Sequence, residues 1–240
     1  MIPYFDAHCD TLTAVYERGG SLWENGLMLD VRRLGAYAPA AQFFAVWNGH
    51  YPEKAALLRA EAEKHPDGLT LCRSAAQARE AVAAGQVAAL LSVEGMEQLA
   101  CSVDRLRLAR ERDGVLMVNL CWNQDNALCA DCPRNLTDAQ FTALVQAGGG
   151  AGINLCPDFL GLSRDSAAVC AHIEHFLALG GERAVFLGCD LDGIDDTPRD
   201  IAGAEHMGHL YEALLRRNLP ESLVRDIFYN NLMDILERTA

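Results

Sequence analysis

Short, nearly continuous apolar runs alternate along this chain with longer stretches in which apolar residues recur every three or four positions. The short runs fall at 3–8, 41–47, 87–93, 115–120, 152–155 and 184–188. They have strand length, and they lack the strict apolar–polar alternation of a strand with one wet face. Six such strands separated by helices, with no hairpin turn chemistry, predict a parallel sheet buried on both faces. The helical stretches are Leu12–Gly19, a short one around Asp30–Leu34, Glu53–Lys64, Ser74–Ala84, Val103–Arg112, Thr137–Ala147, Ser163–Leu179, Glu205–Arg217 and Pro220–Arg238. Their ends carry recognisable signals. Ser74 is a candidate N-cap, Thr137-x-x-Gln140 is a capping box, and Gly85, Gly114 and Gly148-Gly149-Gly150 are stops.

Polar residues gather just after the strand ends: His8 and Asp10, Glu94, Trp122 and Asn123, Asn154, then Asp190 and Asp192. In a (β/α) barrel that rim is where active sites lie. A doubly wound open sheet is the competing arrangement, but no Gly-rich phosphate loop supports a nucleotide site in it. His8-x-Asp10 ends the first strand, where side chains two apart point the same way and can converge on one ion. With Glu94 they make a one-nitrogen, two-carboxylate set for a divalent transition metal, zinc by preference. Three protein ligands and an open position mark a catalytic rather than a structural site. The other six histidines lie on helices (His172, His175, His206, His209) or in polar, loop-like surroundings (His50, His65), and are not expected to be ligands.

Composition narrows the class. A chain of 240 residues, half of them apolar, suffices for one core, so 1–240 reads as a single domain. A net charge of −13 excludes nucleic acid and an anionic membrane surface as partners. No leader precedes the first strand and no apolar run reaches membrane-spanning length, so the expected location is the cytoplasm. The nine cysteines, an odd count scattered over all element types, fit reduced thiols. Cys121, Cys129 and Cys132 lack the second pair a zinc ribbon would need.

The motifs together resemble the membrane-type (renal-type) dipeptidases, zinc peptidases built on a TIM-like barrel. The matching pieces are Phe5-Asp6-Ala7-His8-Cys9-Asp10-Thr11, Leu91-Ser92-Val93-Glu94-Gly95, Pro133-Arg134-Asn135-Leu136-Thr137-Asp138, Gly152-Ile153-Asn154, His172-Ile173-Glu174-His175-Phe176 and Gly188-Cys189-Asp190-Leu191-Asp192-Gly193. Leu214-Leu215-Arg216-Arg217-Asn218 and Asn230-Asn231-Leu232 close the series. The resemblance implies that His8 and Asp10 hold one zinc and that Glu94 bridges it to a second. It further implies that Asp190 handles the proton passing to the leaving amine, and that Arg134 binds the oxyanion or a substrate carboxylate. The implied substrate is a small dipeptide.

The departures are as informative. In that family two more histidines, at the ends of the fifth and sixth strands, hold the second zinc. Here the fourth strand and its loop run almost directly into Pro133-Arg134-Asn135. Two βα units, roughly 60 residues of a full barrel, are therefore absent, and the apparent internal deletion lies near 126–133. Trp122 also stands where many members have a histidine. The expectation is an incomplete TIM-like (β/α) barrel with six of eight strands, one zinc rather than two, reduced dipeptidase activity, and exposed edges that favour homo-oligomers. The alternatives are an inactive metal-binding barrel remnant, a mononuclear amidohydrolase acting on another small amide, or replacement ligands from Cys121, Cys129 and Cys132.

Overall fold

A computed structural model describes residues 1–123, 126–127, 135–161 and 163–239. Seven strands form one sheet: β1 (Tyr4–Cys9), β2 (Ala40–Val46), β3 (Leu69–Cys72), β4 (Val87–Glu94), β5 (Val115–Asn119), β6 (Ala151–Ile153) and β7 (Val185–Leu187). The helices are α1 (Thr11–Arg18), α2 (Val31–Leu34), α3 (Tyr51–Lys64), α4 (Ala75–Ala83), α5 (Val103–Asp113) and α6 (Asp138–Gln146). They continue as α7 (Pro157–Leu160), α8 (Ser166–Ala178), α9 (Met207–Arg216), α10 (Glu221–Arg225) and α11 (Asn231–Thr239), the last two joined by a π-helical stretch, Asp226–Asn230.

Local chemistry accounts for the element ends. The Ser74 side chain accepts from the Gln77 N–H, and both bonds of the Thr137/Gln140 capping box are made. Gly114, at φ 79°, closes α5 in the left-handed conformation that glycine adopts without a steric cost. Some boundaries differ from expectation. α8 begins at Ser166 rather than Ser163, Asp165 capping it by accepting from the Ala167 N–H, with the short helix α7 before it, and the expected helix Pro220–Arg238 is divided into α10, the π-helical stretch and α11.

All ladders are parallel. Alternate residues of the central strands feed two separate cores, as the pleat requires. Tyr4, Phe44, Leu91 and Leu187 belong to one. Phe5, Phe43, Leu90 and Phe186 belong to the other, which α4 and α11 cover with Ala78, Leu232 and Met233. Both faces are thus dry, which is why the strands read as continuous apolar runs.

The path β5–β4–β2–β1–β7–β6 runs around the sheet. The architecture is α/β with a parallel sheet of the TIM-like barrel type, and among the described residues no ladder joins β5 to β6. The seventh strand, β3, was not expected. Leu69-Thr70-Leu71-Cys72 is only four residues long and pairs on one side alone, with the N-terminal half of β4 (Leu69↔Val87 to Cys72↔Leu90). β5 pairs with the C-terminal half, Leu91 to Glu94, so the two short strands divide one edge of β4 between them. β5 also departs from the expected full burial: Leu116, Met117 and Val118 are half-buried.

Candidate metal centre

The rim is built from the C-terminal ends of β1, β4 and β7. β1 carries a bulge: Asp6 pairs with Gln42 but Cys9 pairs with Phe44, so three steps on β1 match two on β2. A bulge re-aims side chains, and this one is held from inside by Asp6, a carboxylate with no solvent exposure. Asp6 Oδ1 accepts from the His8 N–H (3.2 Å) and the Cys189 N–H (2.8 Å), and Oδ2 from the Tyr4 hydroxyl (3.1 Å). Burial raises the Asp6 pKa, against those three hydrogen bonds, which favour the ionised form. The clue in the sequence was an Asp inside the apolar run Tyr4-Phe5-Asp6-Ala7, where an unsatisfied carboxylate would be costly.

Beyond the bulge, β1 and the chain after β7 stay paired. The Asp190 N–H donates to the His8 carbonyl (3.1 Å), and the Asp10 N–H to the Leu191 carbonyl (2.8 Å). That pairing carries Asp190 to His8. His8 Nε2 lies 3.4 Å from Asp10 Oδ2, 3.3 Å from Glu94 Oε2 and 3.6 Å from Asp190 Oδ1. His8, Asp10 and Glu94 each offer one ligand atom within 4.8 Å of the others, and this is the one such group among the described residues. Burial opposes a charge on His8, but the hydrogen bonds it donates to Asp10 and Glu94, and their negative charges, outweigh it and raise its pKa well above the usual value. Burial pushes Asp10 up, countered by His8.

Three observations fit these residues to a metal ion. Asp10 Oδ1 is buried with no hydrogen-bond partner, an arrangement native proteins avoid unless something else is bound there. Asp10 also occupies the N-cap position of α1 without capping it, so its carboxylate has given up the bond an Asp there normally makes. Gly193 leaves the space open: a Cβ at that position would lie 2.2 Å from Asp10 Oδ2 and 2.4 Å from Asp190 Oδ1. A nitrogen and two carboxylates suit zinc or a similar ion.

Around this corner lies a cavity of about 510 Å³. Trp47, Trp122, Met28 and Ile194 give it apolar walls, the two tryptophan rings 5.0 Å apart. Asp190 is oriented by Asn154, whose Nδ2 donates to Oδ2 at 2.8 Å, and its backbone sits at φ 64°. Asp192 is also left-handed, at φ 66°, and is held on the other side of the cleft's loop. It accepts from the Thr11 hydroxyl (2.6 Å) and the Met28 N–H (2.7 Å), clamping the 21–30 loop to the site. Sequence reasoning put Asp192 on the rim without a role, and it missed Asp6 and Gly193.

Of the other candidates, Arg134, with Cys129 and Cys132, lies outside the described residues. Cys121 is half-buried just beyond β5. The remaining histidines are engaged elsewhere: His172 Nε2 with the Leu160 carbonyl (3.3 Å), His175 with Asp138 (2.8 Å), and His209 with the Asp200 carbonyl (2.8 Å). His206 Nδ1 accepts from the Ala202 N–H (3.3 Å), and His50 lies against the Tyr16 ring. His65 is not in the polar surroundings expected of it but stacks on Trp23, ring centroids 4.4 Å apart.

The sequence profile described as membrane dipeptidase (peptidase family M19) matches residues 1–132 and, in a second segment, 128–240. This chain belongs to that family. A protein of Klebsiella pneumoniae named for the pqqA 5′ region is 32% identical over 120 residues, 47% of this chain and 43% of its own length. The chain spans less than half the length of the curated relatives it matches. Among solved structures, the dipeptidase AC metallopeptidase superposes with a TM-score of 0.86 at 22% identity, over 99% of this chain and 98% of the other. A Rhodobacter sphaeroides metallopeptidase, liganded with a phosphinate mimic of the dipeptide L-Ala-D-Ala, gives 0.83 at 21% identity over 100% of both. At such identities these likenesses speak to the fold. Among the described residues, no helix of this M19 chain is long and apolar enough to cross a membrane.

Proposed function

We propose that this chain is a metal-dependent hydrolase of dipeptides, with one zinc held by His8, Asp10 and Glu94. The observation that carries the reading is the convergence of those three ligand atoms beside a buried, unpartnered carboxylate oxygen, Asp10 Oδ1. Family membership and the dipeptide mimic bound by the Rhodobacter sphaeroides neighbour support the substrate class. A zinc ion at such a site polarises a carbonyl and lowers the pKa of bound water to about 7.

The chain's own groups do the rest. Asp190, held by Asn154 beside His8, passes a proton to the leaving amine. Glu94 and Asp10 would supply negative charge to hold the ion, and the Trp47 and Trp122 rings offer apolar wall for the substrate. Arg134 is assigned to the oxyanion or to a substrate carboxylate. All seven histidines of the sequence are among the described residues, and six stand away from His8. The reading is therefore a mononuclear centre. Without the electrostatic stabilisation a second cation would supply, turnover is expected to fall by at least about 10²–10³ relative to a two-metal site. The two-segment family match, overlapping at 128–132, supports an internal loss of βα units there as the reason.

The test is metal analysis after mild dialysis together with hydrolysis of a small dipeptide panel at added zinc, with Asp190→Asn as control. About one equivalent of zinc and slow hydrolysis that Asp190→Asn abolishes is the expected result. Two equivalents, or turnover indifferent to Asp190→Asn, would overturn the mononuclear assignment.

A further inference from the structure

A second cavity, of about 530 Å³, opens at the other end of the sheet from the metal corner. Pro3 and Pro39, which line it, directly precede β1 and β2. It therefore lies roughly 16 Å from His8 along β1, at a rise of about 3.3 Å per residue. Val82, in the last turn of α4, extends this apolar wall. The charged chemistry is cationic: Arg79 of α4 and Arg225 at the end of α10 line the cavity, and none of its lining residues is acidic. In a chain of net charge −13, that is the reverse of the metal cleft.

Both guanidiniums have donors to spare. Arg79 uses Nε in its ion pair with Glu237, and among the described residues nothing occupies its terminal nitrogens. Arg225 donates to the Met1 carbonyl (3.4 Å) and lies beside the Tyr211 hydroxyl. Among the described residues, no carboxylate is within ion-pair distance of it. The acidic groups on the flanking helices are Glu80, Glu221, Asp226, Asp234 and Glu237. Glu237 answers Arg79, Asp226 accepts from Asn230 Nδ2 at 2.7 Å, and the other three pair with neither arginine.

Tyr229 is an independent observation. It lines the same cavity and is 5% exposed, and its hydroxyl is buried with no hydrogen-bond partner, which native proteins avoid unless something completes the bond. Burial, partly offset by the charge of Arg79, pushes its pKa up to about 12, so at neutral pH it is a donor. It belongs to the π-helical stretch Asp226–Asn230, a distortion frequent at functional sites. Two guanidiniums and a hydroxyl donor suit an oxyanion carrying more than one charge. The wall of Pro3, Pro39 and Val82 suits a small apolar body attached to it.

We propose that this cavity binds a phosphate monoester. Arg79 and Arg225 take its phosphate, Tyr229 donates to it, and its organic part rests on Pro3, Pro39 and Val82. The site is separate from the metal corner and does not depend on the dipeptidase reading.

The experiment titrates phenyl phosphate into the zinc-loaded chain by calorimetry, with inorganic phosphate for comparison. About one equivalent of the ester should bind, about 10-fold tighter than inorganic phosphate because of the apolar wall. Arg225→Gln should weaken it about 10-fold or more. Tyr229→Phe should weaken it about 10-fold, yet leave the ligand-free melting temperature unchanged or raised, since the lost hydroxyl had no partner. His8→Ala should bind the ester as wild type does, which separates this site from an ester oxygen held by zinc. No binding at millimolar ester, binding unchanged in both Arg225→Gln and Tyr229→Phe, or binding lost only in His8→Ala would overturn the assignment. Inorganic phosphate binding as tightly as the ester would overturn the choice of a monoester.

Discussion

The metal corner and the open seam of the sheet are made from the same kind of strand, yet they differ in almost every physical respect. β1 and β4 have neighbours on both edges, and His8, Asp10 and Glu94 at their ends are 9%, 5% and 8% exposed. Among the described residues, β5 and β6 each have a neighbour on one side only. Apart from Met1, the exposed large apolar residues among those described flank them: Val103, Leu108, Leu120, Trp122 and Leu136. A strand end held from both sides can aim a side chain to within a few tenths of an ångström, whereas an edge strand leaves backbone donors and apolar surface unused. Preorganisation for chemistry and vulnerability to association thus sit within one sheet, separated by the width of β4.

The largest effect should come from His8→Ala. It removes the sole nitrogen ligand and leaves Asp10 and Glu94 facing each other in a buried pocket, so bound zinc should fall from about one equivalent to none. Elemental analysis after dialysis reads this directly, and full metal content in the variant would move the centre elsewhere. Gly193→Ala sharpens the same side of the comparison. The new Cβ, 2.2 Å from Asp10 Oδ2, must displace that carboxylate, and zinc affinity in a chelator competition should drop about 10–100-fold with the fold intact.

Asp113 tests the seam side of the comparison. At the end of α5, next to the seam, it accepts from Tyr51 on α3 (2.9 Å), from Arg59 (2.9 Å) and from Arg112 (2.7 Å). Burial would raise its pKa, but the hydrogen bonds from Arg112 and Tyr51, with the neighbouring positive charge, outweigh burial and lower it. A carboxylate depressed in the fold contributes stability that is present above the ordinary Asp pKa of about 3.9 and is lost as pH falls through the folded value. Asp113→Asn should therefore cost about 1–2 kcal/mol at pH 7, the exposed guanidiniums being screened by water. The gap to wild type should close toward pH 3 in denaturant titrations. A gap that persists at low pH would mean that the loss is one of packing.

The smallest effect on stability belongs to the seam. Leu108→Glu, on a side chain 61% exposed, should change unfolding free energy by no more than about 0.5 kcal/mol. It should also shift the chain toward monomer in sedimentation. A wild type that is strictly monomeric would erase the contrast between seam and corner.

What the sequence determined by itself was local. Strand lengths, most helix ends, the Ser74 cap and the Thr137/Gln140 box depend on residues within four positions of one another, and they were legible for that reason. The pairing of His8 with Asp10 was legible too, because a two-residue spacing in a strand fixes a shared side. Glu94 entered the same set from its place at a strand end, and the resemblance added the expected role of Asp190. Tertiary structure alone decided that β3 pairs with half of β4, that β5 is half-exposed and that no described ladder joins it to β6. It also decided that Gly193 must lack a side chain and that Asp192 clamps Thr11 across a separation of 181 residues. The bulge held by Asp6 belongs with these, its oxygen reaching Cys189 N–H 183 residues on. Such contacts depend on which strands become neighbours, and that is settled by burying apolar faces throughout the chain rather than by any local pattern.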